Sequence, residues 1–416
     1  MGLFWQGRTG AGGLRALLTP WWEAFQGVWR PFLLARLGLL LWAAVLAVAI
    51  GSVDDFGRVS QAAWPPAAPW GQWLEQVLLR PWLHYDVHHY LMIVAKGFAG
   101  HPQGAVFYPL HPMCIWAVSR VLGHPLATAM LLNVLAHLGL VVCLYRYVGE
   151  EFSAAVGRWA VISLLTFPLA FLLAVPYSEA PFLVFVVLAF WAARRRNWLV
   201  AGVAGLLAAA FRQPGLLLLP ALGLEWLLWA IRERRWRAWL AGLWLALIPL
   251  APYAFAFYLH SLDITQVPPW HPLSPLLWVN EVQGRYWHST FVMPWTTVGM
   301  IAQQLSGGLG GPMLIDLLGT VVLTLLALGS LWAWRRPGLT GYTLLMILAS
   351  WTKVLGPPSA SPIESFPRHL MVIFPIYLLL GRALERWRLA RVAWLVLSPL
   401  LLLLHSALFI RNAWIP

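Results

Sequence analysis

One carboxylate and a knot of histidines stand in the segment 82–98, "WLHYDVHHYLMIVAKGF": Asp86 with His84, His88 and His89 around it. A second polar run, "FYPLHP" at 107–112, adds Tyr108 and His111. A lone carboxylate among aromatic rings and imidazoles is suited to general-base work. It can take the proton of an acceptor hydroxyl as that oxygen attacks an activated carbon. The same residues allow a blander reading, in which Asp86 pairs with His84 or Arg80 and braces a loop helix. They also allow a metal, since two histidines and a carboxylate are a common divalent ligand set. On a helix His84 and His88 share a face, but Asp86 points about 200° from His84. One helix cannot present all three, so a divalent metal is not favoured and no cofactor is expected.

Other polar residues interrupt apolar sequence farther along. "PYSEAP" at 176–181 puts Tyr177, Ser178 and Glu179 in a short turn. There Ser178 or Glu179 either caps the next helix or faces the same cavity as Asp86. Arg212 breaks "GLLAAAFRQPGLLLL", where Pro214 and Gly215 end a helix. Arginine in such a place needs an anion, and a phosphate, which guanidinium binds bidentately, is the natural one; Glu179 is the competing partner. Arg368 and His369 stand in "ESFPRHLMVIFP", and Lys353 closes the apolar run before it. Three cations at span ends, Arg212, Lys353 and Arg368, can cradle a lipid phosphate or can be snorkelling anchors.

The elements that position these groups are membrane spans. The chain is 60% hydrophobic and only 10% charged, with mean hydropathy +0.71; soluble domains carry about 25% charge. Apolar runs recur along the whole length, so the fold class is an all-α polytopic membrane protein forming one integral domain over residues 1–416. About eleven spans are predicted, near 33–51, 125–147, 157–175, 180–193, 198–211, 214–231, 238–258, 312–333, 338–355, 368–381 and 391–411. Trp21, Trp22, Phe25, Val28 and Trp29, at helical spacing, predict a separate amphipathic helix on the membrane surface before the first span. Residues 105–122 are read as a surface helix despite their apolarity.

Charge decides that point. With 105–122 off the span list, most of the 28 Lys and Arg fall on the N-terminal side, including Arg194, Arg195, Arg196, Arg232, Arg234, Arg235, Arg335 and Arg336. The positive-inside rule then makes that side cytoplasmic. All but two of the 12 histidines, His137 and His405, fall on the other side or at span ends there. Two large extracytoplasmic loops result, 52–124 and 259–311, with turns at 64–71 and 305–312. The basic balance is thus topological and implies no nucleic acid. Two cysteines, Cys114 and Cys143, give neither a disulfide framework nor a metal spacing. A transporter would gather its ionisable groups near the midplane and show repeats; here they gather at one edge and no repeat is evident.

In this setting Tyr85-Asp86, Tyr90, Ile93, Gly97 and Phe98 resemble the aspartate motif of the PIG-V mannosyltransferase family. Phe107, Pro109, Leu110 and Pro112 resemble its "FFPLYP" run, Tyr177-Ser178-Glu179 its "YSES" element, and Arg212 with Gly215 its arginine-glycine element. Arg368, Phe374 and Pro375 resemble its last element. The order is kept, while Tyr85 replaces a tryptophan and His111 a tyrosine. The resemblance implies a GT-C-type bundle whose first outer loop carries a catalytic acid residue on juxtamembrane helices. It implies an inverting, metal-independent glycosyltransferase of a bacterial inner membrane, its site extracytoplasmic. The donor would be a polyprenyl-phosphate mannose and the acceptor a lipid-linked or glycolipid hydroxyl, with protein O-mannosylation as the alternative. Asp86 is then the expected base, and Arg212, Arg368 and Lys353 the donor-phosphate cations. His84, Tyr85, His88, His89, Tyr90, Tyr108, His111, Tyr177, Glu179 and His369 are the expected supporting residues.

Overall fold

In lipid a backbone must satisfy itself, and helices do so within one segment; the apolar runs of this chain are helical almost throughout. The computed structural model describes residues 11–50, 69–306, 308, 310–356 and 361–413. The expected turn at 64–71 lies mostly outside them. In chain order come α1 (Ala11–Ile50), α2 (Pro69–Leu74), α3 (Asp86–Lys96), α4 (Leu110–Leu122), α5 (Pro125–Glu151), α6 (Ala154–Thr166) and α7 (Glu179–Arg194). Then follow α8 (Trp198–Phe211), α9 (Leu218–Glu233), α10 (Trp236–Ala241), α11 (Leu250–Ser261), α12 (Ser274–Trp287), β1 (Ser289–Phe291) and α13 (Pro294–Ser306). The last are α14 (Gly311–Ala333), α15 (Pro337–Trp351), β2 (Lys353–Leu355), α16 (Phe366–Met371), α17 (Pro375–Arg386) and α18 (Arg388–Ile410).

Among the described residues, 6 helices are long and apolar enough to cross a bilayer, the chain being an all-α polytopic membrane protein. Their burial differs: α5 is 44% buried over its apolar window and α1 only 17%. So α5 runs through the middle of the bundle and α1 lines its rim. At the arginine-rich end Glu150 and Glu151, the last residues of α5, collect Arg146, Arg194, Arg195 and Arg336 at 2.7–3.6 Å.

Several predicted spans are not continuous helices. The stretch 157–175 is helical only to Thr166, because Pro168 cannot continue the hydrogen-bond ladder. A 3₁₀ turn at Ala170–Leu173 follows, and 167–176 is buried but for Pro168. Irregular backbone survives at membrane depth only when protein covers it and supplies partners. Asn133 Nδ2 does so, donating to the carbonyls of Leu173 and Val175. Ser398 Oγ donates to the Thr166 carbonyl at 2.7 Å and Trp394 Nε1 to Thr166 Oγ1 at 2.9 Å. Likewise 368–381 divides at Val372–Phe374 into α16 and α17, 338–355 ends its helix at Trp351, and 214–231 and 238–258 contain 3₁₀ turns.

The N-terminal expectation is also corrected. Trp21 to Trp29 do not form a separate surface helix; they belong to the same 40-residue helix as the first span. The Trp21 ring packs edge-on to Trp191 at 5.1 Å and under Arg146 at 4.3 Å, so packing on the bundle carries the helix through. The 13 residues of α4 reach about 20 Å, short of a hydrocarbon core of about 30 Å. Its exposed Met113, Trp116, Val121 and Leu122 give it an apolar outer face.

Candidate active site

The site grows from four chain breaks that meet at one end of the bundle. The first precedes α3. Tyr85, just before Asp86, has φ 51° and ψ −117°, a backbone shape that costs a non-glycine residue about 1–3 kcal/mol. Its ring packs on Phe409 at 5.4 Å, as does that of buried His84 at 5.5 Å, so packing against α18 holds the strained turn. The second break is the buried coil that ends in Tyr177-Ser178-Glu179. The third follows α8, where Arg212 leaves the helix and Gly215 returns the chain. A Cβ on Gly215 would collide with the Ala209 backbone, so only glycine allows that close turn. The fourth is α16, which carries Arg368 and His369.

Arg368 joins these pieces. Its Nη2 donates to Asp86 Oδ2 at 2.5 Å and its Nε to Glu179 Oε1, while its Cζ lies 4.2 Å from the Tyr177 ring centre. Glu179, fully buried, also takes Arg212 Nη1 at 2.5 Å. A buried carboxylate between two guanidiniums stays ionised, since each cation offsets its desolvation. Ser178 makes no capping bond; its Oγ meets Tyr90 Oη at 2.8 Å and receives Arg212 Nη1 at 3.3 Å. The competing partner for Arg212 is therefore the one observed. Arg80 pairs with Glu75, not Asp86.

Lys353 stands at the start of β2, which pairs antiparallel with β1 of the second loop so that Lys353 faces Phe291. It lies within electrostatic reach of Arg212, Asp86 and Arg368, as does His369 of Lys353 and both arginines. Among the described residues no carboxylate comes within ion-pair distance of Lys353. Burial pushes its ammonium down to about 8. Three cations thus face two carboxylates, and the surplus positive charge rests on Lys353.

The remaining expected residues divide. His89, on the face of α3 that Asp86 begins, bonds through Nδ1 to His101 Nε2 at 2.9 Å and stacks on Phe107 at 5.3 Å. Burial holds both imidazoles down near 4, so they are neutral at pH 7. His88 meets His89 edge-on at 5.7 Å. His111 Nε2 lies 3.0 Å from the Pro176 carbonyl, a bond that needs its N–H there, and 4.6 Å from the Tyr90 ring. It therefore ties α4 to the buried coil. Tyr108 does not join the site: it packs on Phe255 and Trp278, and its hydroxyl has no partner among the described residues. Sequence reasoning missed His101 and Trp287. Trp287 reaches over from α12, its ring 4.9 Å from His89 and its Nε1 donating to the Gln103 carbonyl at 3.0 Å. No local signal marks either; only the fold of the second loop over the first brings them in. Among the described residues no three His, Cys, Asp or Glu are grouped to hold a metal ion.

Residues 101–256 match the family model described as dolichyl-phosphate-mannose-protein mannosyltransferase. The matched region holds His111, Tyr177, Glu179 and Arg212, and leaves Asp86, Lys353 and Arg368 outside it. No curated protein matches the chain. The match, over less than half of the chain, supports a mannosyltransferase of the GT-C kind and indicates that the chain is an enzyme, a glycosyltransferase.

Proposed function

We propose that this enzyme transfers a mannosyl residue, with inversion, from a polyprenyl-phosphate carrier to a hydroxyl of a lipid-linked or glycolipid acceptor, as the PIG-V resemblance implies. The observation that carries the reading is the group Asp86–Arg368–Glu179–Arg212 with Lys353 beside it. It combines one partly open carboxylate, 18% exposed, with a surplus of positive charge. Asp86 is the base. It takes the acceptor proton as the oxygen bonds to the anomeric carbon, and the bond from that carbon to the phosphate oxygen breaks. The carrier phosphate leaves with the electron pair, and the cations stabilise the charge that grows on it. Their effect is strengthened by the burial of the Arg368 and Arg212 side chains, 7% and 12% exposed.

Arg368 gives this site its order of events. While it holds Asp86, the Oδ2 atom is engaged in the ion pair. An incoming phosphate competes for the guanidinium, and the Asp86 oxygen is freed for the acceptor hydroxyl as the donor seats. Glu179 stays behind as the fixed counter-charge that keeps Arg368 and Arg212 beside Asp86. Tyr90, Ser178 and His111 hold that turn in place.

The positive-inside rule supports reading the arginine-rich face as cytoplasmic and the site as extracytoplasmic, with a bacterial inner membrane as the proposed setting. A protein hydroxyl as acceptor is the second reading, favoured by the printed description of the matching family. The test is transfer from radiolabelled polyprenyl-phosphate mannose by purified enzyme to octyl α-mannoside and to a serine- and threonine-containing peptide. Label in the mannoside alone supports the first reading, and label in the peptide alone the second. Label in neither, with native membrane lipids also unlabelled, overturns both.

A further inference from the structure

At the opposite, arginine-rich end of the bundle, α9, the end of α14 and the start of α15 leave a cleft of about 480 Å³ between them. Leu224, Leu331 and Leu344 line it together with Pro337, Thr340, Gly341 and Arg335. Leu224 and Leu344 are 40% and 46% exposed, so the cleft opens outward between apolar side chains. In a bilayer such a cleft fills with hydrocarbon, because water would find almost no polar partners there.

The arginines around it are not alike. Arg336 Nη2 donates to Glu151 at 2.8 and 3.0 Å, and its Nη1 lies 3.9 Å from Glu225. Arg196 lies 3.8 Å from the same Glu225 oxygen. The nearby carboxylates are therefore occupied. Arg335 is exposed at the mouth and, among the described residues, no carboxylate comes within ion-pair distance of it. Trp332, 77% exposed three residues earlier, sets this level at the headgroup region, where indole rings settle.

We infer that the cleft is a binding site for an anionic phospholipid of the leaflet on that face. One acyl chain lies between Leu224, Leu331 and Leu344, and the phosphate meets Arg335. A guanidinium without a protein anion, at headgroup depth beside a chain-sized apolar groove, is complementary to both halves of such a lipid. The site is separate from Asp86 and takes no part in transfer.

Native mass spectrometry of the delipidated, purified enzyme tests this, with phosphatidylglycerol titrated against phosphatidylcholine of identical chains. The first bound lipid should prefer phosphatidylglycerol about fivefold, because its headgroup is a net anion whereas the choline cation of phosphatidylcholine offsets its phosphate beside Arg335. R335Q should bring the two lipids to parity. L344W, which fills the groove, should reduce the first bound lipid of either kind. R388Q removes an arginine of the same face outside the cleft and should keep the preference. Each variant is checked for monodispersity and melting temperature. Equal retention of the two lipids by the unaltered enzyme, or loss of preference in R388Q as large as in R335Q, overturns the inference.

Discussion

Arg368 donates from Nη2 to Asp86 Oδ2 at 2.5 Å, across 282 residues of sequence. That contact joins the expected base of the first outer loop to the last chain break before the C-terminal helices, and the Arg368 Nε is held by Glu179 at the same time. Asp86 is therefore poised rather than free, and the consequences can be measured.

Replacing Asp86 with asparagine keeps the volume and removes the base. Transfer should fall by about 10²–10⁴-fold, the usual worth of a positioned base. Melting temperature should hold, because Arg368 retains Glu179. Initial rates with polyprenyl-phosphate mannose, set beside the melting curve of the same sample, check it. Full activity in D86N would remove Asp86 from the chemistry.

Glu179 is the keystone of a buried charge group. Glu179→Gln leaves Arg212 without its carboxylate and Arg368 with Asp86 alone, and breaking such a buried pair costs about 3–5 kcal/mol. E179Q should therefore melt lower and express poorly, unlike D86N. Arg212→Gln should cost less, since Glu179 still has Arg368. Melting temperatures of the three purified variants rank them.

Lys353, near 8, carries its charge below that pH and loses it above. A phosphate donor needs the charged form. In the free enzyme kcat/KM for the donor should be flat below pH 8 and fall about tenfold per unit above it. K353R, whose guanidinium stays charged, should abolish that fall. An unchanged alkaline limb in K353R would exclude Lys353 from phosphate binding.

His89 and His101 titrate near 4 in the folded enzyme, against about 6.5 unfolded. Their native pKa values are depressed, so stability is complete above about 6.5. It declines as pH falls towards 4, because the unfolded chain takes protons the native imidazoles refuse. Melting temperature should drop between pH 6.5 and 4.5 in the parent enzyme. The drop should be smaller in H89Q and H101Q.

The sequence by itself determined the class of this protein. Apolar runs, a tenth of the residues charged, and arginines gathered on one side leave few solutions but a bundle of membrane helices. It also marked Asp86, Glu179, Arg212 and Arg368, because ionisable side chains in apolar surroundings stand out against composition. The helices α7 and α8 lie where the apolar runs put them, at Glu179–Arg194 and Trp198–Phe211. Broken segments were less legible: a run such as 157–175 is apolar throughout, and hydropathy does not register that Asn133 and α18 make a non-helical backbone tolerable after Pro168. Tertiary structure alone decided who meets whom. Pairing of Arg368 with both Asp86 and Glu179, the neutral His89–His101 couple, the arrival of Trp287 and the exclusion of Tyr108 all depend on contacts between distant segments. No local pattern encodes these, because charge and ring contacts act over a few ångströms of space and are blind to separation along the chain.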